Sequence, residues 1–269
     1  MPYMVRTFDM AGYYETRLLL TLVALAFALF MLRRGDRRFL IAYLLGVVLQ
    51  GLLEWLLSVL GLRGPFQMRF FGLPFGGLAA SGLQGFVEGG PLALMGFWFG
   101  TLFSGLRRAM AAPLPAAGWG SYAAGLGLVL LMALATVLIA SPAAVTSARP
   151  MIAPTAGWVD WLFPGLAAAS FLLVALTRGR EGVRLLAYCV VGVFIYAIAV
   201  FEPLHLAGLR YVGYREGESF VAAPLQSQVL WMFYSLSVEV ALFKVYYFAV
   251  PIALGLFDVR HVTAPPQRH

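Results

Sequence analysis

Apolar stretches long enough to cross a bilayer recur along this chain and leave little of it for anything else. A hydrocarbon core about 30 Å thick takes roughly 20 helical residues to cross. Windows of that kind fall at Leu18–Leu32, Phe39–Leu62, Gly76–Leu106, Ser121–Ala140, Trp158–Leu176, Leu185–Leu209 and Val229–Phe257. With 61% apolar residues, 12% charged residues and a mean hydropathy of +0.85, most of this surface has lipid as its solvent. The expected fold is all-α: a polytopic integral membrane protein, a seven-transmembrane-helix bundle forming one domain over residues 1–258. A polar, disordered tail is expected at 259–269, after Asp258.

Charge sets the orientation. Arg33, Arg34, Arg37 and Arg38 follow the first span, Arg107 and Arg108 the third, and Arg178, Arg180 and Arg184 the fifth. The positive-inside rule makes those loops cytoplasmic, so the N-terminus is expected outside and the C-terminus in the cytoplasm. The opposite connections carry Arg63 and Arg69, then Arg149, then Arg210 and Arg215. The net charge of +7 is thereby a matter of topology, and no nucleic-acid partner is expected. The expected partners are the bilayer itself and a membrane lipid or hydrophobic small molecule, in a bacterial inner (cytoplasmic) membrane. No small-residue cleavage site follows Leu18–Leu32, which points to a retained span and not a signal peptide. The Pro-, Ala-, Ser- and Thr-rich stretch Ser141–Gly157 reads as a loop leading to Trp158 and Trp161 in the headgroup belt, with Asp160 interfacial between them. The lone Cys189 excludes an intrachain disulfide and a cysteine-based metal cage.

The third span carries glycines at 76, 77, 82, 85, 89, 90, 96, 100 and 105. Gly85/Gly89 and Gly96/Gly100 have the small-xxx-small spacing of closely packed membrane helices, which makes this span the expected centre of the bundle. Glu88-Gly89-Gly90-Pro91 predicts a kink or break beside Glu88, because proline lacks a backbone donor and disfavours helix just before it. The fourth span has no ionisable group and reads as a lipid-facing wall.

Four carboxylates, Glu54, Glu88, Glu202 and Glu239, fall inside predicted spans, where each needs a partner, a proton or water. Counted from the span ends at about 1.5 Å per residue, all four lie roughly 10–15 Å below the outer surface. Carboxylates on separate helices at one depth suggest a shared polar cavity open toward the outer leaflet. The competing reading is that each glutamate snorkels or caps a neighbouring helix. Buried carboxylates act as proton donors near neutral pH, and aromatic side chains stabilise positive charge developing on a substrate. On that reading Glu54 and Glu239 are the acid and base, and Glu88 is cavity wall or cation stabiliser. Gln50, Trp55, Trp98, Tyr196, Trp231 and Tyr234 are the candidate substrate-binding residues.

Two further features are a Glu-x-x-His pair and a lone lysine. Glu202-Pro203-Leu204-His205 has Glu-x-x-His spacing, but a two-metal site takes two such motifs. Glu202 and His205 are therefore the only metal candidates, and neither a metal nor another cofactor is expected. Lys244, the only lysine in the chain, lies in the last span. Microbial retinal proteins also carry a lysine in the seventh helix, with an acidic residue four positions earlier and tryptophan in the sixth. Here Val240 takes the first place and Leu185–Leu209 contains no tryptophan, so Lys244 is expected to snorkel toward the cytoplasmic surface.

In length, span count and the placement of Glu54 in span two and Glu239 in span seven, the chain resembles the integral-membrane terpene cyclases of meroterpenoid pathways. That resemblance implies acid-initiated cyclisation of an isoprenoid. The family has an Asn and a Trp just before its helix-two glutamate, whereas here Leu52-Leu53 precede Glu54 and Trp55 follows it. Glu88-Gly89-Gly90-Pro91-Leu92 more weakly resembles the Glu-containing span and Gly-Pro-Leu segment of the emopamil-binding sterol isomerases. Those have fewer spans and a histidine near the first glutamate that is absent here. The expected function is acid/base chemistry, cyclisation or isomerisation, on an isoprenoid or other lipid-like substrate. A proton- or cation-coupled transporter or channel, or a non-catalytic subunit of a membrane complex, remains the alternative.

Overall fold

The computed structural model describes residues 2–8, 13–60, 67–109, 127–131, 133–138, 142–151 and 158–257. In chain order the elements are β1 (Pro2–Phe8), α1 (Tyr13–Arg33), α2 (Arg38–Val59), β2 (Gln67–Phe70) and β3 (Leu73–Gly76). A long helical run follows: α3 (Gly77–Gln84), a π-helical segment at Gly85–Gly89, and α4 (Gly90–Ala109). Then come α5 (Gly127–Leu138), β4 (Pro142–Pro150), α6 (Trp158–Leu206), β5 (Arg210–Glu216) and β6 (Ser219–Ala222). The last span runs through α7 (Leu225–Tyr234), a π-helical segment at Ser235–Ala241, a 3-10 turn at Leu242–Lys244, and α8 (Tyr246–Ala253).

The chain is mostly helical. Four helices, Tyr14–Arg33, Arg38–Val59, Pro164–Leu206 and Leu225–Ala253, are long and apolar enough to cross a membrane. Their outward residues Leu22, Leu44, Leu172 and Leu230 are exposed, as lipid-facing surfaces require.

The all-α expectation is corrected by two sheets. Strands β4-β1-β5-β6 form one antiparallel sheet, with Met4 opposite both Arg149 and Val212, and β2 and β3 form a hairpin. The stretch read as a loop at Ser141–Gly157 supplies β4. Short alternating segments such as Tyr-Met-Val-Arg-Thr and Arg-Tyr-Val-Gly-Tyr are weak strands alone, and they become a sheet only when the helices bring them side by side. The sheet packs Met4, Met151, Val212 and Ala223 against Trp231, Met232 and Tyr234 at the start of the last span.

The 49 residues of α6 are two helices joined at Gly179, whose φ of 60° and ψ of −155° break the helix. A straight helix of that length would be about 74 Å long. Both of its ends lie near one sheet: the Met151 N–H donates to Pro2 O shortly before it begins, and β5 starts four residues after it ends. The chain therefore folds back at Gly179. At that bend the Arg178 guanidinium donates to the Ile252 and Ala253 carbonyls, both at 3.1 Å, closing the end of the last helix.

The glycines of the third span do make close contacts. A Cβ at Gly46 would sit 2.3 Å from Gly89 O, and one at Gly100 would sit 2.6 Å from Cys189 Sγ. The first pair joins α2 to the π-helical segment and the second joins α4 to the returning half of α6. Cys189 is a buried packing residue. Residues 258–269, including the tail expected at 259–269, and most of the first half of the fourth span lie outside the described residues, as does the Asp160 side chain.

A polar cluster between two irregular helices

Glu88 lies in the π-helical segment Gly85–Gly89, where sequence predicts a break. There the Gly90 N–H donates to Gly85 O, five residues back, and Pro91 has no N–H to give. The Phe86 and Val87 carbonyls thus lose their ordinary donors. Neighbouring helices supply replacements: the Tyr43 hydroxyl of α2 donates to Phe86 O at 3.3 Å, and the Thr21 hydroxyl of α1 donates to Val87 O at 3.2 Å. An irregular turn in apolar surroundings is tolerated because its freed groups are satisfied inside the protein.

Gln50 is the hub of the arrangement. Its Nε2 donates to Glu54 Oε1 at 2.8 Å, one turn along α2. Its Oε1 accepts from Lys244 Nζ at 2.6 Å and from the Tyr247 hydroxyl, both on the last span. Lys244 therefore turns inward to the bundle and does not snorkel to the cytoplasmic surface. Its ammonium also lies 5.7 Å from the centre of the Tyr247 ring. On the third helix Gln84 donates to Glu88, and the Tyr247 hydroxyl lies within electrostatic reach of both Glu54 and Glu88. Gln50, Glu54 and Gln84 are buried, and Glu88 and Lys244 are half-buried.

Glu239 also sits in a π-helical segment, Ser235–Ala241, and is buried. The Ser235 hydroxyl donates to its Oε2 at 2.8 Å, and the Ser237 hydroxyl donates to Phe233 O at 2.6 Å. Depth can be counted from the Gln50–Lys244 contact. Glu54 is four residues, and Glu239 five, toward the sheet, so at about 1.5 Å per residue the two carboxylates lie at nearly the same level. Gln50 thus joins Glu54 to Tyr247, with Glu88 in electrostatic reach of that hydroxyl, and Glu239 lies at the depth of Glu54 and accepts from Ser235.

The aromatic candidates are spread more widely. Trp55 is 38% exposed and lies off the buried face of α2. Trp98 stacks on Phe99 at 5.7 Å, about 15 Å further from the sheet than Glu88 by residue count. Tyr196 is buried in the main apolar core. Trp231 and Tyr234 meet edge to face at 5.5 Å beneath the sheet. Glu202 and His205 pair with each other at 3.3 Å near the end of α6, and no group of three metal-ligating side chains occurs among the described residues.

Tyr247 and Gln84 are the members that the sequence does not single out, and Lys244 is the one whose side chain turns inward instead of snorkelling. A usable signal existed for Lys244: among 19 basic residues it alone is not arginine, and it stands mid-span. Comparison with protein-family models, with curated proteins and with solved structures finds no match to this chain, so its chemistry is read from its own geometry.

Proposed function

We propose that this chain is a membrane-embedded acid/base catalyst acting on an isoprenoid or other lipid-like molecule, with Glu54 and Glu88 as proton-handling groups and Glu239 as a second acidic centre. The observation that carries this reading is the Gln50-centred network, which ties Glu54 to Lys244 and Tyr247 across two helices. Lys244 supplies a positive charge in a low-dielectric setting, and the Gln50 amide, bonded to both it and Glu54, fixes the two side chains. Two of the three carboxylates stand in π-helical segments, a backbone irregularity frequent at functional sites. The acids share one depth, which suits a localised reaction better than a relay staggered through the membrane.

The reading includes seven crossings with the N-terminus outside and the C-terminus in the cytoplasm, in a bacterial inner membrane. Helices α1, α2, the 77–109 run and α5, the two halves of α6, and the last span give that number. The sheet collects β1, β4 and β5 on one face, as four crossings between β1 and β4 and two between β4 and β5 require. The arginine-rich connections at Arg33–Arg38 and Arg178–Arg184 then lie together on the other face.

The test is native mass spectrometry and lipid extraction of detergent-purified protein, wild type against Glu54→Gln. A co-purifying isoprenoid or sterol-like molecule, retained by the wild type and lost or chemically altered in the variant, is expected. Identical extracts free of any hydrophobic ligand, together with dissipation of a pH gradient by the wild type in liposomes, would instead make the chain a proton carrier.

A further inference from the structure

Where the sheet meets the bundle, three arginines from three elements converge. Arg17 on α1 and Arg210 at the start of β5 are both only 4% exposed. Their guanidinium carbons lie 5.5 and 4.8 Å from the centre of one ring, Phe201 near the end of α6. Arg6, half-buried on β1, is the cross-strand partner of Arg210. Like charges directly opposite on paired strands repel, and burial of each adds a desolvation cost. Each arginine interacts with neighbours inside the protein, so it is the convergence of cations that marks the place.

An independent feature lies beside them. The His205 side chain is 3% exposed, with Nδ1 3.3 Å from Glu202, and its Nε2 is buried without a hydrogen-bond partner. It is within electrostatic reach of Arg210. A polar atom left unpaired in such a setting costs free energy unless a ligand or water completes it.

Resting on the function proposed above, we infer that this junction binds the phosphate or diphosphate headgroup of the lipid-like molecule whose chain enters the Gln50 cluster. Guanidinium groups match phosphate oxygens in paired hydrogen bonds, and several of them suit a multiply charged headgroup. The register fits. Thr21, which donates both to Arg17 O and to Val87 O, places Arg17 one helical turn, about 6 Å, toward the sheet from the turn that carries Glu88. A phosphate held by Arg17 and Arg210 puts the first carbons of its chain within reach of the carboxylates.

The experiment measures binding of farnesyl diphosphate, farnesol and inorganic pyrophosphate to the detergent-purified full chain, wild type and variants. Farnesyl diphosphate is expected to bind at least tenfold more tightly than farnesol. Arg210→Gln or Arg17→Gln is expected to weaken farnesyl diphosphate binding by about tenfold or more and leave farnesol binding unchanged, as removal of a charge-assisted hydrogen bond does. Should either variant fail to fold, Arg6→Gln and His205→Gln are expected to narrow the same preference. Equal binding of farnesol and farnesyl diphosphate, or a preference unchanged in the arginine and histidine variants, would overturn the inference. Pyrophosphate binding as tightly as farnesyl diphosphate would overturn the lipid part and assign the site to a soluble anion. Glu54→Gln separates the two proposals. It is expected to abolish catalysis and keep the diphosphate preference, whereas unchanged catalysis with the preference intact would overturn the function proposed above and leave the headgroup site standing alone.

Discussion

Gln50 makes three hydrogen bonds at once, one donated and two accepted. Its replacement by leucine would leave the Lys244 ammonium, the Tyr247 hydroxyl and the Glu54 carboxylate short of partners within an apolar bundle. Gln50→Leu is expected to destabilise the protein by about 3–5 kcal/mol, as the loss of several buried polar contacts does. Thermal unfolding in detergent checks this, and Lys244→Met, which removes one partner and its charge together, is expected to cost less. The carboxylates themselves were legible in the sequence, because a glutamate in an apolar span requires an explanation. The direction of Lys244 was not. A long flexible ammonium reaches a membrane surface or an interior acceptor with similar ease, and only the position of Gln50, 194 residues earlier, decides between them.

Among the elements, the wide turn at Gly85–Gly89 could be foreseen from Gly-Gly-Pro, since the missing proline donor is a local fact. The second one at Ser235–Ala241 contains neither glycine nor proline and is visible only in the structure. Its serines bond to Glu239 and to Phe233 O, a competition with the backbone ladder that residue spacing alone does not announce. The glycine contacts give a paired prediction. Gly46→Ala would drive a methyl against the Gly89 carbonyl and is expected to cost at least about 1–3 kcal/mol and to separate α2 from Glu88. Gly82→Ala, in α3 with nothing within 4 Å of the added carbon, is expected to be neutral or stabilising by up to about 1 kcal/mol. Chemical denaturation of the two variants side by side reads both effects.

At the scale of the whole molecule, the sheet fixes which connections share a face, whatever the orientation in the membrane. In a Cys189→Ala background, cysteines at Leu73 and Ser219 are expected to react with a membrane-impermeant maleimide from one side, and cysteines at Arg34 and Arg180 from the other. Labelling of Ser219 and Arg34 from the same side would break the seven-crossing arrangement. The apolar runs announced the helices, yet the sheet stayed hidden because its strands are short, the paired β1 and β5 are about 200 residues apart, and they pair only after the helices have placed them. The order of those pairings has a consequence in time. Strand β1 is made before both of its partners, β4 and β5, which lie near residues 142–150 and 210–216. At a synthesis rate of about 5–20 residues per second, β1 waits on the order of 10–40 s for β5. During that interval it is an unpaired edge that a chaperone must shield or a protease can cut, so a central strand of the sheet is also the one that waits longest for its partners.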